Sequence, residues 1–320
     1  MYQQVRILLL SLLLWLPIAL AQEPSRKGTN RPQYCSVATC GAASNAATCN
    51  RRLNPRLFDA PNLTSLPKKG RWITPENYDG TLDSFFRGEV ARVVHLANGG
   101  VKILGEDVTS KFTLLKDSPT SMAMLGFCGC VGLVVMSKSA VYMAHIVEDP
   151  ILRYPERFRP GLQLLGEGTG ADNHVFGLED LASTSFAPDQ EPLVVVFAPK
   201  TGNKFQYQDQ MVQLGKWVKQ CKFTPRACCC CNILTYLLVV VIGVDPKWIG
   251  YSPIRRGDEK QRFDWGCARA EGKLLMQYQP SIKGLFGFRR SNAQARLWIE
   301  GKATPFEKSW EPSAVQHFTN

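Results

Sequence analysis

The chain has 320 residues, 45% of them hydrophobic, and a formal net charge of +11. This length suits one large domain or two smaller ones. The positive charge favours anionic partners, but Lys and Arg are scattered and form no run with interleaved aromatic residues, so the sequence argues against a nucleic-acid-binding protein.

The first 21 residues are expected to be a secretory signal peptide. Arg6 gives a short positive region, Ile7–Leu16 is an almost unbroken apolar stretch, and Ala19-Leu20-Ala21 is typical of a signal-peptidase site. The alternative is a retained signal anchor, but the short apolar stretch and the Ala-x-Ala pattern favour cleavage before Gln22. We therefore expect a secreted, extracellular protein.

Secretion has consequences for the cysteines and for one asparagine. Eleven cysteines in an oxidising compartment are expected to form disulfides. Because eleven is odd, at least one thiol is left over within the monomer, either as a nucleophile or for intermolecular pairing. Asn62 begins the sequon Asn62-Leu63-Thr64 in a Pro-bearing stretch, which predicts a glycosylated surface loop.

Composition divides the chain into four regions. After the signal peptide (1–21), residues 22–80 read as a leader and linker with three cysteines and several prolines. Residues 81–305 carry the periodic apolar patterns of a globular α+β domain. Residues 306–320 are polar and are expected to form a C-terminal tail.

Apolar runs predict that the globular region is rich in strands. The first two strands flank Asn98-Gly99-Gly100, which predicts a hairpin. A short helix is expected near Val175–Leu181, and an amphipathic helix after Gly202 has Met211, Leu214, Trp217, Val218 and Cys221 on one face. The predicted strands are Val90–Leu96, Val101–Leu104, Lys111–Leu115, Val131–Met136, Ala140–Val147, Leu193–Phe197, Leu234–Val244, Lys273–Tyr278 and Ala295–Glu300.

Four adjacent cysteines, Cys228 to Cys231, precede an apolar stretch that ends at Val244. The stretch is at the short limit for a membrane span. We expect a buried strand over Leu234–Val244, with a membrane anchor over residues 233–244 as the alternative. A metal site in the cysteine cluster is disfavoured because zinc sites use spaced thiolates.

The strongest functional signal is a predicted hairpin. Val131–Met136 and Ala140–Val147 are apolar, and the Ser137-Lys138-Ser139 trio between them is typical of a turn. If the turn is centred between the first two residues of this trio, Cys130 lies directly opposite His145. Their Cβ atoms would then be about 4.5–5.5 Å apart. A shift of the turn centre by one residue would break this pairing.

A thiol beside an imidazole predicts nucleophilic chemistry. The free thiol, with a pKa of about 8.5, is only slightly ionised at neutral pH, and an imidazole can take its proton. The thiolate of Cys130 would attack an amide or ester carbonyl, with backbone N–H groups around Gly129 stabilising the oxyanion. The resulting thioester would react with water or with an amine. Asp149 has the same strand parity as His145 and is a candidate for orienting the imidazole.

Two other interpretations remain open for these residues. Cys130 and His145 can both be ordinary core residues of a hydrophobic hairpin. A Cys128–Cys130 disulfide is also possible if the chain turns tightly at Gly129, which would give a redox-active dithiol. The remaining histidines lie on an apolar strand, in a polar loop and in the tail: His95, His174 and His317.

The segment Phe127-Cys128-Gly129-Cys130, with His145 fifteen residues after Cys130, resembles the Cys–His core of the cytotoxic necrotising factor catalytic domain and the CheD-like glutamine deamidases. Those enzymes carry a Leu-Ser-Gly-Cys element and a His on the succeeding strand. The resemblance implies that Cys130 is the nucleophile, His145 the base and Gly129 the supporting glycine. Cys128 stands where the family has Ser, and Phe127 where it has Leu.

The resemblance also carries expectations for the whole protein. It implies an α+β fold with a β-sandwich-like core of mixed or antiparallel strands and few helices. It implies a protein substrate with an exposed glutamine, and no cofactor or metal. The run from Gly129 to His145 is also similar to a segment in uncharacterised secreted fungal proteins. The rival hypothesis is a non-catalytic secreted effector or surface-interaction protein whose Cys–His pair is buried or oxidised.

Overall fold

The computed structural model describes residues 72–95, 100–101, 108–169, 175–219, 242–253, 270–281, 291–300 and 302–310. Outside these ranges lie the expected signal peptide, the Asn62 sequon, the Cys228–Cys231 cluster and nearly all of the predicted strand Leu234–Val244. The three described residues of that strand, Ile242 to Val244, form neither helix nor strand. No described helix is both long and apolar enough to cross a bilayer.

The described residues form four α-helices and eleven strands. The helices are α1 (Leu82–His95), α2 (Pro155–Glu167), α3 (Leu178–Ala182) and α4 (Gln208–Lys219), with 3-10 turns at Pro75–Asn77 and Pro188–Gln190. The strands are β1 (Gly100–Val101), β2 (Val108–Leu114), β3 (Thr120–Leu125), β4 (Val131–Met136), β5 (Ala140–Ile146), β6 (Leu193–Thr201), β7 (Lys204–Phe205), β8 (Lys247–Tyr251), β9 (Lys273–Gln279), β10 (Ala293–Ile299) and β11 (Phe306–Trp310).

The strands form two sheets. Sheet A has the order β1-β3-β9-β10-β11, and sheet B has the order β2-β5-β4-β6-β7, with β8 also paired to β6. Most neighbours are antiparallel, whereas the β1–β3 and β6–β8 pairs are parallel. The fold is therefore α+β with a sheet core, as the sequence predicts.

The two sheets pack face to face, and alternate residues of each strand enter the core between them. Along β4, Val134 and Met136 belong to this inter-sheet core, whereas Leu133 and Val135 belong to the core on the opposite face of sheet B. Helices α2, α3 and α4 cover that opposite face. Because β4 is buried on both faces, it is a continuous apolar run rather than an alternating one.

Helix α1 covers the outer face of sheet A. Phe86, Val90 and Val93 are spaced as on one helical face, and they pack against Leu275 and Trp298 of the sheet. The four layers are thus α1, sheet A, sheet B and the α2–α4 group. The inter-sheet core is the layer that contains the candidate site.

Three predictions from the sequence are wrong. Residues 90–95 of the predicted strand Val90–Leu96 form the second half of α1, because their apolar residues continue a helical stripe that begins at Phe86. The predicted hairpin between this strand and Val101–Leu104 is also wrong, since its first strand is helical and β1 pairs in parallel with β3. The predicted start of the polar tail, residue 306, is too early, because Phe306–Trp310 is an edge strand of sheet A and Trp310 is buried in the inter-sheet core.

The predicted linker also ends earlier than residue 80. Tyr78 is buried against α1, and its hydroxyl donates a hydrogen bond to the Glu89 carboxylate at 2.7 Å. Residues 72–80 therefore belong to the folded domain rather than to a linker.

Candidate functional site

The hairpin that carries Cys130 and His145 forms, but its register differs from the predicted one. Gly132, not Cys130, lies opposite His145. The turn is closed by the Ser137 N–H, which bonds the Ala140 carbonyl at 2.9 Å, so it is centred between Lys138 and Ser139, one residue later than predicted. The predicted direct pair of Cys130 with His145 is wrong.

The shift leaves the two side chains on one face of the sheet. Moving a turn centre by one residue moves each cross-strand partner by two, and strand side chains repeat every two residues. Cys130 lies in the inter-sheet core together with Met143 and Val147. These two residues come two positions before and two positions after His145, so all three side chains share one face of the sheet. Cys130 and His145 are therefore diagonal neighbours, a relation in which residues are typically about 7–8 Å apart.

The two cysteines of the motif are in different chemical states. Cys128 is disulfide-bonded, whereas Cys130 is present as a buried thiol. The Cys128–Cys130 disulfide that the sequence left open is therefore wrong. The sulfur of Cys130 keeps its capacity to act as a nucleophile.

Burial controls the protonation of the Cys130 thiol. Desolvation raises its pKa well above the ordinary value, the backbone N–H groups of Glu148 and Cys128 oppose this rise, and the Glu148 carboxylate adds to it. The backbone carbonyl of Cys130 accepts a hydrogen bond from the Tyr251 hydroxyl at 2.7 Å. In this buried environment the sulfur is protonated at neutral pH.

The imidazole of His145 is also completely buried. Desolvation lowers its pKa to about 3, and the nearby Gly126 carbonyl opposes this effect. At ordinary hydrogen-bond geometry neither ring nitrogen has a partner among the described residues, so the Gly126 carbonyl lies near the ring without completing a bond. The ring is therefore neutral at neutral pH, and no hydrogen bond joins it to the Cys130 sulfur.

Phe127 fixes the position of the imidazole. Its ring centroid lies 4.7 Å from that of His145, with the ring planes 32° apart. This contact depends on Gly132, where a β-carbon would lie 2.8 Å from Cζ of Phe127. The N–H of Phe127 bonds the Gly272 carbonyl at 3.3 Å, which ties this loop to sheet A.

Glu148 is a residue of this site that the sequence did not indicate. Its side chain is buried, it accepts a hydrogen bond from the Tyr207 hydroxyl, and its carboxylate lies against Gly129. The prediction chose Asp149 because it assumed that strand parity continues, but β5 ends at Ile146. The signal that was available is that Glu148 is the first charged residue after the apolar run.

Asp149 lies away from the imidazole. Its carboxylate bonds the Arg153 guanidinium at 3.1 Å, in a partly exposed pair four residues apart. Since neither His145 nitrogen has a hydrogen-bond partner, Asp149 does not orient the ring in this structure.

Aromatic residues from distant segments complete the surroundings. Phe197 of β6 stacks on Tyr251 of β8 with centroids 4.3 Å apart, and Phe127 meets Phe197 edge-on at 5.1 Å. No local sequence pattern connects these residues to Cys130, because Tyr251 is 121 positions away from it.

A pair of buried charges lies behind the Phe127 loop. Glu300 accepts a hydrogen bond from the Gly272 N–H, and burial raises its pKa to about 7. Burial lowers the pKa of the neighbouring Lys273 to about 8. Within the described ranges, no group of three or more His, Cys, Asp or Glu side chains is arranged to hold a metal ion.

The structure thus gathers Cys128, Gly129, Cys130 and His145 at one end of the inter-sheet core and adds Glu148. A buried thiol and a neutral imidazole that has no hydrogen bond within the described part of the chain can support proton transfer and nucleophilic attack once substrate or water reaches them. No protein-family model, curated protein or solved structure matches this chain.

Proposed function

We propose that this protein is a secreted, cysteine-dependent amidase that deamidates an exposed glutamine of a protein substrate. Cys130 is the nucleophile and His145 is the base. The same thioester gives transglutamination when an amine replaces water. No cofactor or metal takes part in this scheme.

The observation that carries the proposal is the buried imidazole, for whose two nitrogens the described residues supply no hydrogen bond of ordinary geometry. Burying an unsatisfied polar group costs about 1–3 kcal/mol, and such groups in native structures call for an explanation. An apolar side chain would fill this space between Phe127 and the inter-sheet core without that cost. A base kept available for the thiol on the same face of sheet B accounts for the histidine.

The chemical steps balance as follows. His145 takes the thiol proton of Cys130, and the thiolate attacks the carboxamide carbon. The oxyanion collapses and expels ammonia, which takes its proton from the imidazolium, leaving a thioester. His145 then takes a proton from water, the hydroxide cleaves the thioester, and the proton returns to the sulfur. The product is glutamate.

In the closed state the pKa values oppose the first step, because burial raises that of the thiol and lowers that of the imidazole. Contact with substrate or water reduces this desolvation and brings the two pKa values towards each other. The proposal therefore requires that the site opens during turnover.

The test is ammonia release from glutamine-containing proteins incubated with the secreted protein. Cys130→Ala is expected to abolish release while the circular dichroism spectrum is unchanged. Val134→Ala is the matched control, because it removes methyl groups from the same buried face of β4 without removing the thiol. Equal release by the wild type and Cys130→Ala would refute the proposal.

The complete burial of both side chains favours a second candidate, a non-catalytic secreted effector whose Cys130 and His145 are core residues. Thiol labelling of the native protein separates the two. The enzyme hypothesis expects a small alkylating reagent to modify Cys130 under conditions where the fold is intact. The effector hypothesis expects labelling only after denaturation.

A further inference from the structure

The carboxylate of Glu148 fills the space beside the residue that precedes Cys130. A β-carbon built on Gly129 would overlap this carboxylate, so only glycine leaves room for it. Glu148 has no exposed surface, so a charged group lies buried at the candidate nucleophile. Charges are rarely buried without a structural or chemical reason.

The position of the carboxylate is close to the reacting atoms of the proposed function. Glu148 acts electrostatically on the Cys130 thiol and on the Tyr251 hydroxyl, and its own N–H faces the sulfur. Attack by sulfur requires a carbonyl carbon about 3–3.5 Å away in an aligned geometry. A glutamine carboxamide is planar and has nearly the size of a glutamate carboxylate, so both compete for the space beside Gly129.

Helix α4 holds the segment that carries Glu148. The Tyr207 hydroxyl, just before the helix, donates to the Glu148 carboxylate, and Nε2 of Gln210 donates to the Leu152 carbonyl at 2.9 Å. Tyr207 adopts a φ of 55°, a left-handed conformation that costs energy for a tyrosine. The N–H of Met211 bonds the Tyr207 carbonyl at 3.0 Å and secures this conformation.

We propose that Glu148 is an internal occupant of the substrate site, held by Tyr207, and that it keeps Cys130 closed until substrate or a partner breaks the Glu148–Tyr207 bond. This inference rests on the proposed function for the identity of the reaction. Residues 148–152 are then the segment that moves. Tyr207 is only partly buried and is therefore the accessible end of the bond.

Displacement of Glu148 has two consequences at the thiol. It frees the space beside Gly129 for a carboxamide. It also removes a negative charge that disfavours the thiolate of Cys130. The same movement therefore admits the substrate and activates the nucleophile.

The experiment measures the alkylation rate of Cys130 in the full secreted protein with iodoacetamide, followed by peptide mass spectrometry. Tyr207→Phe, which removes the hydrogen bond to Glu148, is expected to raise this rate about tenfold, which is the size of a lost hydrogen bond to a charged group. Glu148→Ala, which empties the space beside Gly129, is expected to raise it at least as much. Tyr78→Phe is the matched control, because it also removes a hydroxyl from a buried glutamate but lies beneath α1. Its rate is expected to equal that of the wild type.

The outcomes decide the two proposals separately. A faster rate in Tyr207→Phe and Glu148→Ala, with Tyr78→Phe unchanged and similar melting temperatures, supports the closing role of Glu148. Unchanged rates in both site variants overturn it, as does an equal rise in Tyr78→Phe, which would indicate general loosening. If labelling rises and no variant that retains Cys130 releases ammonia from glutamine proteins, the closing role stands and the deamidase proposal fails.

Discussion

Two parts of the molecule bury ionisable side chains, and they differ in whether those side chains are hydrogen-bonded. Beneath α1, Glu89 accepts hydrogen bonds from the Tyr78 hydroxyl at 2.7 Å and from the Arg92 guanidinium at 2.6 Å. Near the end of β5, the two ring nitrogens of His145 are buried with no hydrogen bond among the described residues. The first region satisfies its charge, and the second leaves a polar ring unsatisfied.

The first arrangement is explained by the structure alone, whereas the proposed function supplies an explanation for the second. In the Tyr78–Glu89–Arg92 cluster, charge-assisted hydrogen bonds offset the cost of burial, so the cluster needs no further explanation. The imidazole of His145 lowers stability, and its position beside a thiol and a buried glutamate supplies a reason for keeping it. Substitutions that remove the free-energy cost of the buried imidazole, or that create a similar cost elsewhere, test this comparison.

The largest expected effect is an acid sensitivity that His145 confers. Its folded pKa of about 3 lies below the ordinary 6.5, so the unfolded state binds more protons between these values. Stability is therefore complete above pH 6.5 and falls as the pH is lowered towards 3. At about 1.4 kcal/mol per unit, the loss by pH 4 is about 3 kcal/mol.

Urea unfolding at pH 7, 5 and 4 measures this loss, and His145→Phe isolates it. Phenylalanine keeps an aromatic ring against Phe127 but cannot be protonated. The difference in unfolding free energy between the wild type and His145→Phe is expected to grow as the pH falls. Parallel pH profiles for the two proteins would contradict the buried neutral imidazole.

A second comparison uses two glycines that each face a glutamate. A β-carbon on Gly129 would overlap the buried Glu148 carboxylate, and one on Gly166 would lie 2.5 Å from the Glu179 carboxylate. Glu179 is partly exposed and is expected to move aside, whereas Glu148 is enclosed. Gly129→Ala is therefore expected to cost about 1–3 kcal/mol, and Gly166→Ala much less.

The double variant tests whether Glu148 is the cause. If the clash with the carboxylate explains the cost, Glu148→Ala restores part of the stability lost in Gly129→Ala, with a coupling of about 0.5–3 kcal/mol. Additive losses measured by urea unfolding would show that Gly129 matters for another reason.

The smallest expected effect concerns the ring that faces His145. Phe127→Leu removes an aromatic contact that contributes about 0.5–1.5 kcal/mol and lets the imidazole approach water. The pKa of His145, followed by the NMR shifts of its ring protons, is expected to rise towards 6.5. Phe86→Leu, in the cluster beneath α1, is the control and is expected to leave this titration unchanged. An unchanged His145 titration in Phe127→Leu would mean that Phe127 does not exclude water from the ring.

The sequence alone was sufficient for features that depend on local periodicity. It predicted the hairpin of Val131–Met136 with the following strand, the amphipathic helix that contains Met211 and Trp217, and an α+β fold. It also placed Cys130 and His145 on one face, because a period of two survives a shift of the turn centre by one residue. The prediction that Cys130 lies directly opposite His145 was wrong, because it depended on the exact position of the turn centre.

Only the tertiary structure decided which other residues reach the thiol. Tyr207 contacts Glu148 across 59 positions, and Tyr251 contacts Cys130 across 121. Such contacts arise from the packing of α4 and β8 around sheet B, and no periodic pattern records them. The burial that keeps the thiol protonated and the imidazole neutral comes from the second sheet. The sequence therefore placed Cys130 and His145 on one face, and only the packing of the two sheets decided that both are buried.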